Sequence, residues 1–308
     1  MSKQKWNTDN IPDLKGKVII VTGGNSGLGY ESVKAFAEKG AEVILACRSI
    51  EKGNAAKLEI MQGNPTGTIS VMQLDLMDLA TIKTFALDYK LKYNQLDVLL
   101  NNAGIMTTPY NLTKDGFESQ TGTNHLGHFA LTGLLLDLII HTQESRVVNV
   151  SSIAHKQGKM DFDDLLFEGG KGYSRMGAYG RSKLANLLFT YELQGLFIAN
   201  NIDSIAVAAH PGGSQTNLAR HIEGKWWFKM LRPLADLLMQ NQVQGALPQI
   251  RASVDAKVKS GEYYGPDGFN EMTGSPILVK SNKASHNEED ARKLWELSEE
   301  LTGVKFVF

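Results

Sequence analysis

A tyrosine and a lysine four residues apart, Tyr179 and Lys183 in the string YGRSK, are the pair of side chains best suited to proton transfer. On a helix, positions i and i+4 lie on one face, which brings the ammonium group near the phenol. A free phenol has a pKa of about 10, and a nearby cation stabilises the phenolate. Taken alone, such a pair is more typical of an ordinary helix surface, so the surrounding sequence has to decide.

A glycine-rich turn is the second stretch with chemical potential. TGGNSGLG covers residues 22–29, with glycines at 23, 27 and 29. Glycine allows positive φ and lets a phosphate approach backbone N–H groups at a helix N-terminus. The spacing is G-x-x-x-G-x-G rather than the G-x-G-x-x-G of the dinucleotide fingerprint. A purely structural tight turn is the alternative.

The string LACRS suggests which nicotinamide cofactor such a turn would serve. Cys47 stands where an acidic residue would bind the adenosine ribose 2′-hydroxyl and select NAD, and Arg48 follows it. A guanidinium suits a 2′-phosphate, which favours NADP(H) over NAD(H). The alternative is a solvated surface arginine.

Short apolar runs alternate with segments of helical period along the chain. The strand candidates are 17–23, 42–47, 69–75, 97–104, 146–152 and 202–212, with a weak last strand at 277–281. The helix candidates are 27–39, 51–61, 79–92, 115–141, 178–199, 242–257 and 287–301. This alternation predicts an α/β fold with one doubly wound (Rossmann-type) parallel sheet of about seven strands and helices on both faces. Residues 1–308 are predicted to form a single dinucleotide-binding and catalytic domain.

Composition narrows the functional class. The chain has 308 residues, 42% of them hydrophobic, and a net charge of −1, which gives no electrostatic argument for nucleic acid. The N-terminus does not resemble a secretory signal, and the longest apolar run, 129–140, is shorter than the ~20 residues of a membrane span. A cytoplasmic protein is expected, and the single cysteine suits a reducing compartment.

Six strings, taken together and in order, resemble the short-chain dehydrogenase/reductase family. They are TGGNSGLG (22–29), NNAG (101–104), NHLG at Asn124, NVSS at Ser152, YGRSK (179–183) and PGGSQT (211–216). Four further strings resemble the retinol dehydrogenase and WW-domain oxidoreductase branch: NHLGHF (124–129), RVVNVSSIAH (146–155), SKLANLLFT (182–190) and LWELSEELTG (294–303).

The resemblance implies catalytic roles for four residues. Tyr179 would be the general acid in carbonyl reduction and the base in alcohol oxidation, helped by Lys183 and by the charge of the oxidised nicotinamide. Lys183 would also hold the nicotinamide ribose hydroxyls. Ser152, rather than Ser151, would donate a hydrogen bond to the substrate oxygen. Asn124 would organise a water for proton transfer, with an ordinary polar helix position as its alternative.

The resemblance also implies a cofactor site. Besides Tyr179 and Lys183, its expected members are Gly23, Asn25, Ser26, Gly27, Leu28, Gly29, Arg48, Asp75, Leu76, Asn102, Ala103, Gly104, Pro211, Gly212 and Thr216. Asp75 would lie near the adenine, residues 102–104 near the adenosine ribose, and Pro211, Gly212 and Thr216 near the nicotinamide. For the less specific of these positions, a turn or a strand cap is the alternative.

Two segments are predicted to shape the substrate pocket. The long connection 155–177 would form its wall, and 217–240, with three aromatic residues beside basic ones, would form a lid over an apolar substrate. For 217–240 the alternatives are packing on its own domain or on a second subunit, and peripheral membrane contact. His125 and His128 have a spacing that can bind a metal, but no third ligand is evident, and we predict none.

The leading function is therefore reversible hydride transfer between NADP(H) and a lipophilic alcohol or carbonyl compound. The alternative is a regulatory protein that senses NADP(H) without turnover. The partners predicted are a small-molecule substrate and, by pairing of the helix candidates 115–141 and 178–199, a second copy of the chain.

Overall fold

The computed structural model describes residues 5–213 and 240–308. All described strands belong to one eight-stranded sheet with the order β3-β2-β1-β4-β5-β6-β7-β8. The strands are β1 (Val18–Thr22), β2 (Glu42–Cys47), β3 (Thr68–Gln73), β4 (Val98–Asn101), β5 (Arg146–Val150), β6 (Ile205–Ala209), β7 (Tyr263–Pro266) and β8 (Pro276–Leu278). β8 is antiparallel to β7, and every other pairing is parallel.

Helices connect these strands and cover both faces of the sheet. Those of the described residues are α1 (Gly27–Glu38), α2 (Ile50–Met61), α3 (Leu79–Lys90), α4 (Ser119–Thr121), α5 (Gly127–Leu134), α6 (Leu136–His141), α7 (Arg175–Ala199), α8 (Gln242–Val254) and α9 (Glu288–Thr302). On one face α1, α2 and α8 bury residues such as Phe36, Ile60 and Ile250. On the other, α3, α5, α6 and α7 bury residues such as Phe85 and Phe129. The predicted doubly wound fold is confirmed.

The sheet differs from the prediction at its last two strands. Residues 261–276 read as turn-rich, but Tyr263–Pro266 form β7, a fully buried parallel strand beside β6. The predicted strand 277–281 is β8, three residues that begin at Pro276. Both strands are too short for a clear apolar pattern, and glycine and proline within or beside them signal turns. Neighbouring strands, rather than local propensity, stabilise them.

The helix predicted for 115–141 is broken into shorter pieces. Glu118 caps α4 by accepting hydrogen bonds from the backbone N–H groups of Gln120 and Thr121 (2.7 and 2.8 Å). Residues Gly122–Leu126 then form one turn of π-helix before α5 and α6. A π-turn is a wider turn that often occurs at functional sites. Apolar periodicity does not reveal such a turn.

The C-terminal part of the chain covers the outer side of α5 and α7. Leu294 of α9 is buried against Leu184 and Leu188 of α7. Beyond α9, Phe306 packs on Phe129 and Trp295, with ring centroids 4.8 and 4.5 Å apart. The predicted pairing of two chains through these helices stays a prediction, and it would have to accommodate α9. No helix of the described ranges is both long and apolar enough to cross a bilayer.

Candidate active site

The direction in which successive strands are added to the sheet reverses between β1 and β4. The chain moves outward from β1 to β3 and then returns to pair β4 with the other side of β1. Crossovers that leave in opposite directions open a crevice at the carboxyl ends of the two strands. A cleft of about 530 Å³ occupies this place, lined at these ends by Gly23 after β1 and by Asn102, Ala103 and Gly104 after β4.

The glycine-rich turn, residues 22–29, lines this cleft, and its glycines leave backbone atoms uncovered by side chains. Gly23 and Gly27 have φ of +67° and +60°, which L side chains rarely adopt. A Cβ on Gly29 would collide with the carbonyl oxygen of Gly23. Ser26 precedes α1, but its hydroxyl makes no capping hydrogen bond, and the first turn of α1 has no acidic residue. The N-terminus of α1 therefore keeps free N–H groups facing the cleft, a feature that suits a phosphate.

The floor of the cleft is held by a hydrogen-bond network around Thr22. The Thr22 hydroxyl accepts from the backbone N–H groups of Asn102 and Ala103, both at 2.9 Å. The Asn102 side chain donates to the Thr22 carbonyl (2.7 Å) and accepts from Gln249 on α8 (2.9 Å). The predicted residue Asn102 thus lines the cleft, but its side chain joins three elements of the fold.

Two cations line the cleft close to the end of β2. Arg48 is exposed directly after β2, and Lys52 of α2 lines the cleft beside it. Cys47 is buried, and burial raises the pKa of its thiol. A lysine in the first turn of a helix faces the positive end of the helix dipole, which does not favour stability. A bound anion would offset this unfavourable position.

Tyr179 and Lys183 lie on α7, as predicted, and both are buried, with 6% and 4% of their surface exposed. The Lys183 Nζ lies 5.8 Å from the centre of the Tyr179 ring and donates to the Val150 carbonyl (2.9 Å). Burial lowers the pKa of Lys183 to about 8. Burial also raises the pKa of Tyr179, which the sequence predicted to be lowered by the lysine. For both side chains, desolvation changes the pKa more than the neighbouring side chain does.

Ser152 completes this group from the end of β5. Its side chain lies near the Tyr179 phenol and lowers the pKa of that group, which opposes part of the effect of burial. Two glycines allow this approach, because a Cβ on Gly180 would lie 3.0 Å from the Ala154 carbonyl oxygen and one on Gly158 would collide with the Gly180 carbonyl. The short helix after Ser152 therefore packs directly on α7.

The structure distinguishes the two serines of this string. Ser151 is 2% exposed and donates to the Lys183 carbonyl (2.8 Å), a bond that ties β5 to α7. Ser152 is half-buried, but Ser151 rather than Ser152 is among the residues that line the cleft. The Ser152 carbonyl accepts from Nδ1 of His155 (2.6 Å), whose Nε2 accepts from the Asn282 N–H (3.2 Å). His155 thereby fixes the turn that presents Ser152.

Asn124 lies in the π-turn, with its side chain fully engaged. Its Oδ1 accepts from the Ile105 N–H (2.8 Å), and its Nδ2 donates to the Ile105 carbonyl (3.0 Å) and to the Ser182 hydroxyl (2.9 Å). A Cβ on Gly104 would lie 3.1 Å from Asn124 Oδ1 and 3.5 Å from Lys183 Nζ. Asn124 is therefore adjacent to the lysine, and its side chain supports the loop after β4.

The remaining predicted cofactor residues divide into three groups. Asp75, Leu76 and Pro211 line the cleft, as do all predicted members of the glycine turn. Gly212, with φ of +65°, follows Pro211 outside the lining. Thr216 lies outside the described residues, as does the segment 217–239 of the predicted lid 217–240.

Comparison with known proteins identifies the family. The family model described as short chain dehydrogenase matches residues 17–163. Human retinol dehydrogenase 11 is 39% identical over 296 residues, which cover 94% of this chain and 87% of that protein. The chain belongs to the short-chain dehydrogenase family. Human retinol dehydrogenase 13 is 38% identical, with coverage of 95% and 86%.

Solved structures agree on the fold of this short-chain dehydrogenase. A protein from Mycobacterium paratuberculosis described as putative and uncharacterized has a TM-score of 0.82 at 39% identity, covering 99% of this chain and 100% of that one. The Pseudomonas aeruginosa RhlG/NADP active-site complex has a TM-score of 0.65 at 21% identity, covering 82% and 94%. The family supports an oxidoreductase that uses a nicotinamide cofactor.

Nothing in the sequence indicated that Thr22 and His128 hydrogen-bond each other beneath the cleft. His128 Nδ1 donates to the Asn124 carbonyl (3.1 Å), so its Nε2 accepts from the Thr22 hydroxyl (2.9 Å). Burial lowers the pKa of His128 to about 3, which keeps the ring neutral. His125 instead bonds Ser298 (2.9 Å). In the described ranges no cluster of histidine, cysteine and acidic residues is placed to hold a metal.

Proposed function

We propose that this protein catalyses reversible hydride transfer between NADP(H) and a lipophilic alcohol or carbonyl compound. The observation that carries the proposal is the position of Tyr179 and Lys183 side by side in the lining of the cleft, with Ser152 near enough to the phenol to lower its pKa. The elements that bring them together are β5 and α7. The bound cofactor would supply the hydride, and all other steps depend on residues of this chain.

The raised pKa of Tyr179 suits carbonyl reduction. The phenol stays protonated at neutral pH, so it can donate its proton to the substrate oxygen as negative charge develops there. Ser152, which lies near the phenol, would donate a hydrogen bond to the same substrate oxygen. Lys183 would stabilise the phenolate that remains, and its ammonium would hold ribose hydroxyls. In the reverse direction Tyr179 would accept the alcohol proton.

The preference for NADP(H) rests on charge at the adenosine end. Arg48 and Lys52 both line the cleft there, and neither forms an ion pair with a described residue. A 2′-phosphate would bring the negative charge that these two cations lack. The uncapped N-terminus of α1 would bind the pyrophosphate.

Two observations support a lipophilic substrate. The loop after β4 contributes Ile105 and Met106 to the cleft lining. The relatives that cover most of the chain are named retinol dehydrogenases. A cytoplasmic location and a homodimer are part of the proposal on sequence grounds alone.

Nicotinamide fluorescence tests the proposal. Purified protein is titrated with NADPH and NADH, and all-trans-retinal, decanal and propanal are then added as oxidants. We expect tighter binding of NADPH and loss of fluorescence with the lipophilic carbonyls. Tight NADPH binding without turnover of any carbonyl would favour the cofactor-sensing alternative.

Replacing Tyr179 with phenylalanine tests the mechanism. Tyr179→Phe should lower turnover at least about a hundredfold, because the general acid is lost, while NADPH affinity stays nearly unchanged. Tyr191→Phe is the matched control, since Tyr191 lies on the same helix and bonds Ser281 (2.8 Å) away from the cleft. A Tyr179→Phe protein with more than half the wild-type activity would contradict the mechanism.

A further inference from the structure

Arg181 is a buried cation between the two proposed catalytic residues. It follows Tyr179 by two positions on α7 and precedes Lys183 by two, and only 8% of its surface is exposed. Two residues along a helix turn the side chain through about 200°, so Arg181 points away from the face shared by Tyr179 and Lys183. The proposed chemistry does not use it. A buried arginine needs partners for its fixed set of donors.

The partners of Arg181 belong to one segment, residues 159–173, and are three main-chain carbonyls and, at 4.0 Å, the Asp161 carboxylate. Nε donates to the Lys159 carbonyl (3.1 Å), and Nη1 donates to the carbonyls of Asp164 (2.6 Å) and Leu165 (3.1 Å). The guanidinium carbon lies 4.0 Å from the centre of the Phe167 ring. Three charge-assisted hydrogen bonds and a cation–π contact thus join one side chain to this segment.

The first half of the 159–173 segment packs apolar side chains such as Leu165 against α7 and α9, but it has few backbone hydrogen bonds of its own. None of the amides of residues 159–166 donates to a backbone carbonyl in the described part of the chain. Phe167 has φ of +54°, a left-handed conformation that is strained for a bulky residue. Arg181 therefore donates to the carbonyls of a segment whose first half has no regular secondary structure, and its guanidinium packs on the ring of Phe167, whose backbone is strained.

The second half of the segment supports the loop that lines the cleft. The Tyr173 hydroxyl donates to the Thr108 carbonyl (2.9 Å), and its ring packs edge-on against Tyr110, with centroids 5.3 Å apart. Thr108 lines the cleft together with Ile105 and Met106. A continuous set of contacts therefore runs from Arg181 through residues 159–173 to the apolar side of the site.

We propose that Arg181 is a positioning residue that fixes the 159–173 segment and, through it, the loop 105–108, and so determines the preference for long apolar substrates. The inference rests on the proposed function. A short substrate would react at Tyr179 without extending along this loop. A long one would depend on the loop for binding.

Aldehydes that differ only in chain length provide the test. For Arg181→Met we expect the KM for decanal to rise about tenfold, the effect of losing roughly one charge-assisted hydrogen bond. The KM for propanal, the Kd for NADPH and kcat should change less than about twofold. Arg181→Lys should recover part of the decanal effect, because an ammonium keeps the charge without the planar set of donors.

Two further variants separate positioning from general damage. Phe167→Gly removes the stacked ring and relieves the backbone strain, and it should raise the decanal KM in the same direction. Arg251→Met is the matched control, because Arg251 also bonds a carbonyl, that of Pro276 (2.6 Å), and lies over the Tyr264 ring (5.1 Å). It belongs to α8 on the opposite face of the sheet, so both KM values should stay unchanged.

The outcomes distinguish this inference from the proposed function. Wild-type protein that reduces decanal, with Arg181→Met showing an unchanged decanal KM, would overturn the inference alone. An equal rise of KM for both aldehydes would also overturn it, because a purely structural role predicts that result. A wild-type protein that binds NADPH but reduces neither aldehyde would overturn the proposed function, and the role of Arg181 with it.

Discussion

At the scale of single residues, Lys183 combines a proposed catalytic role with an unfavourable position for stability. Its ammonium is buried, and its pKa falls from 10.5 to about 8. Below pH 8 the lysine is charged in both the folded and the unfolded protein, so the folded state carries the full desolvation penalty. Between pH 8 and 10.5 the folded protein loses the proton first, and its stability rises with pH.

Replacing this lysine should therefore stabilise the protein without cofactor. We expect Lys183→Met to raise the free energy of unfolding at pH 7 by roughly 1–3 kcal/mol, with a smaller gain at pH 9.5, while turnover is lost. The Val150 carbonyl keeps its hydrogen bond from Asn186 (3.1 Å), so no acceptor is left unpaired. Urea unfolding at both pH values measures the effect. A less stable variant at pH 7 would show that burial is not the dominant influence.

The sequence predicted which residues lie at the site, but it did not predict their burial or their hydrogen-bond partners. The spacing in YGRSK placed Tyr179 and Lys183 on one helix face, and the structure has them there. The same string gave no sign that both groups are buried, because burial depends on β5 and the turn after it. Likewise, Asn124 was identified by its string, but the engagement of its amide with Ile105 depends on a loop distant in sequence.

At the scale of elements, the N-terminus of α1 lacks the side-chain cap of the other long helices, and the N-terminus of α2 is flanked by two cations. Helices α2, α3, α7, α8 and α9 have a side-chain cap, whereas α1 has none. The cap of α2 is the Ser49 hydroxyl, which lies between the cations Arg48 and Lys52. The N-terminus of α1 therefore offers free N–H groups, and the N-terminus of α2 offers two positive side chains.

Arg48 should distinguish the two cofactors. Arg48→Ala should weaken NADPH binding by about ten- to a hundredfold and leave NADH binding nearly unchanged, because only NADPH carries the 2′-phosphate. Lys57→Ala on α2 is the matched control, since Lys57 does not line the cleft. Fluorescence titration gives both dissociation constants. An equal loss for NADPH and NADH would contradict the assignment of Arg48.

The elements were predictable where their apolar pattern was long. Strands β1 to β6 and most helices begin and end within three residues of their predicted bounds. The exceptions have physical causes. The π-turn at Gly122–Leu126 interrupts a continuous apolar run, and β7 is a strand because β6 supplies its hydrogen-bonding partner.

At the scale of the whole molecule, α9 and the residues after it act as a cover for α5 and α7. Gly303, with φ of +64°, ends α9 and turns the chain back. A Cβ on Gly133 would lie 2.7 Å from both Phe306 and Val304, so α5 is shaped to receive them. The last residues of the chain thus belong to the main core rather than to a loose terminus.

The contribution of this cover to stability can be measured. Phe306→Ala should lower the free energy of unfolding by about 1–3 kcal/mol, less than for a fully buried phenylalanine because Phe306 is half-buried. Val307→Ala, at a side chain that is 78% exposed, should change it by less than about 0.5 kcal/mol. Urea unfolding compares the two. Equal effects would show that the aromatic contacts of Phe306 do not stabilise the fold.

The short antiparallel strand β8 also has a consequence for how these molecules behave together. An open sheet edge normally invites a strand of another molecule to extend it, and β8 exposes Ile277 and Leu278. Yet β8 has only three residues and begins with Pro276, which has no N–H to donate and whose carbonyl is already bound by Arg251. Among the described residues, β8 therefore offers few free backbone groups to which a strand of another molecule could pair.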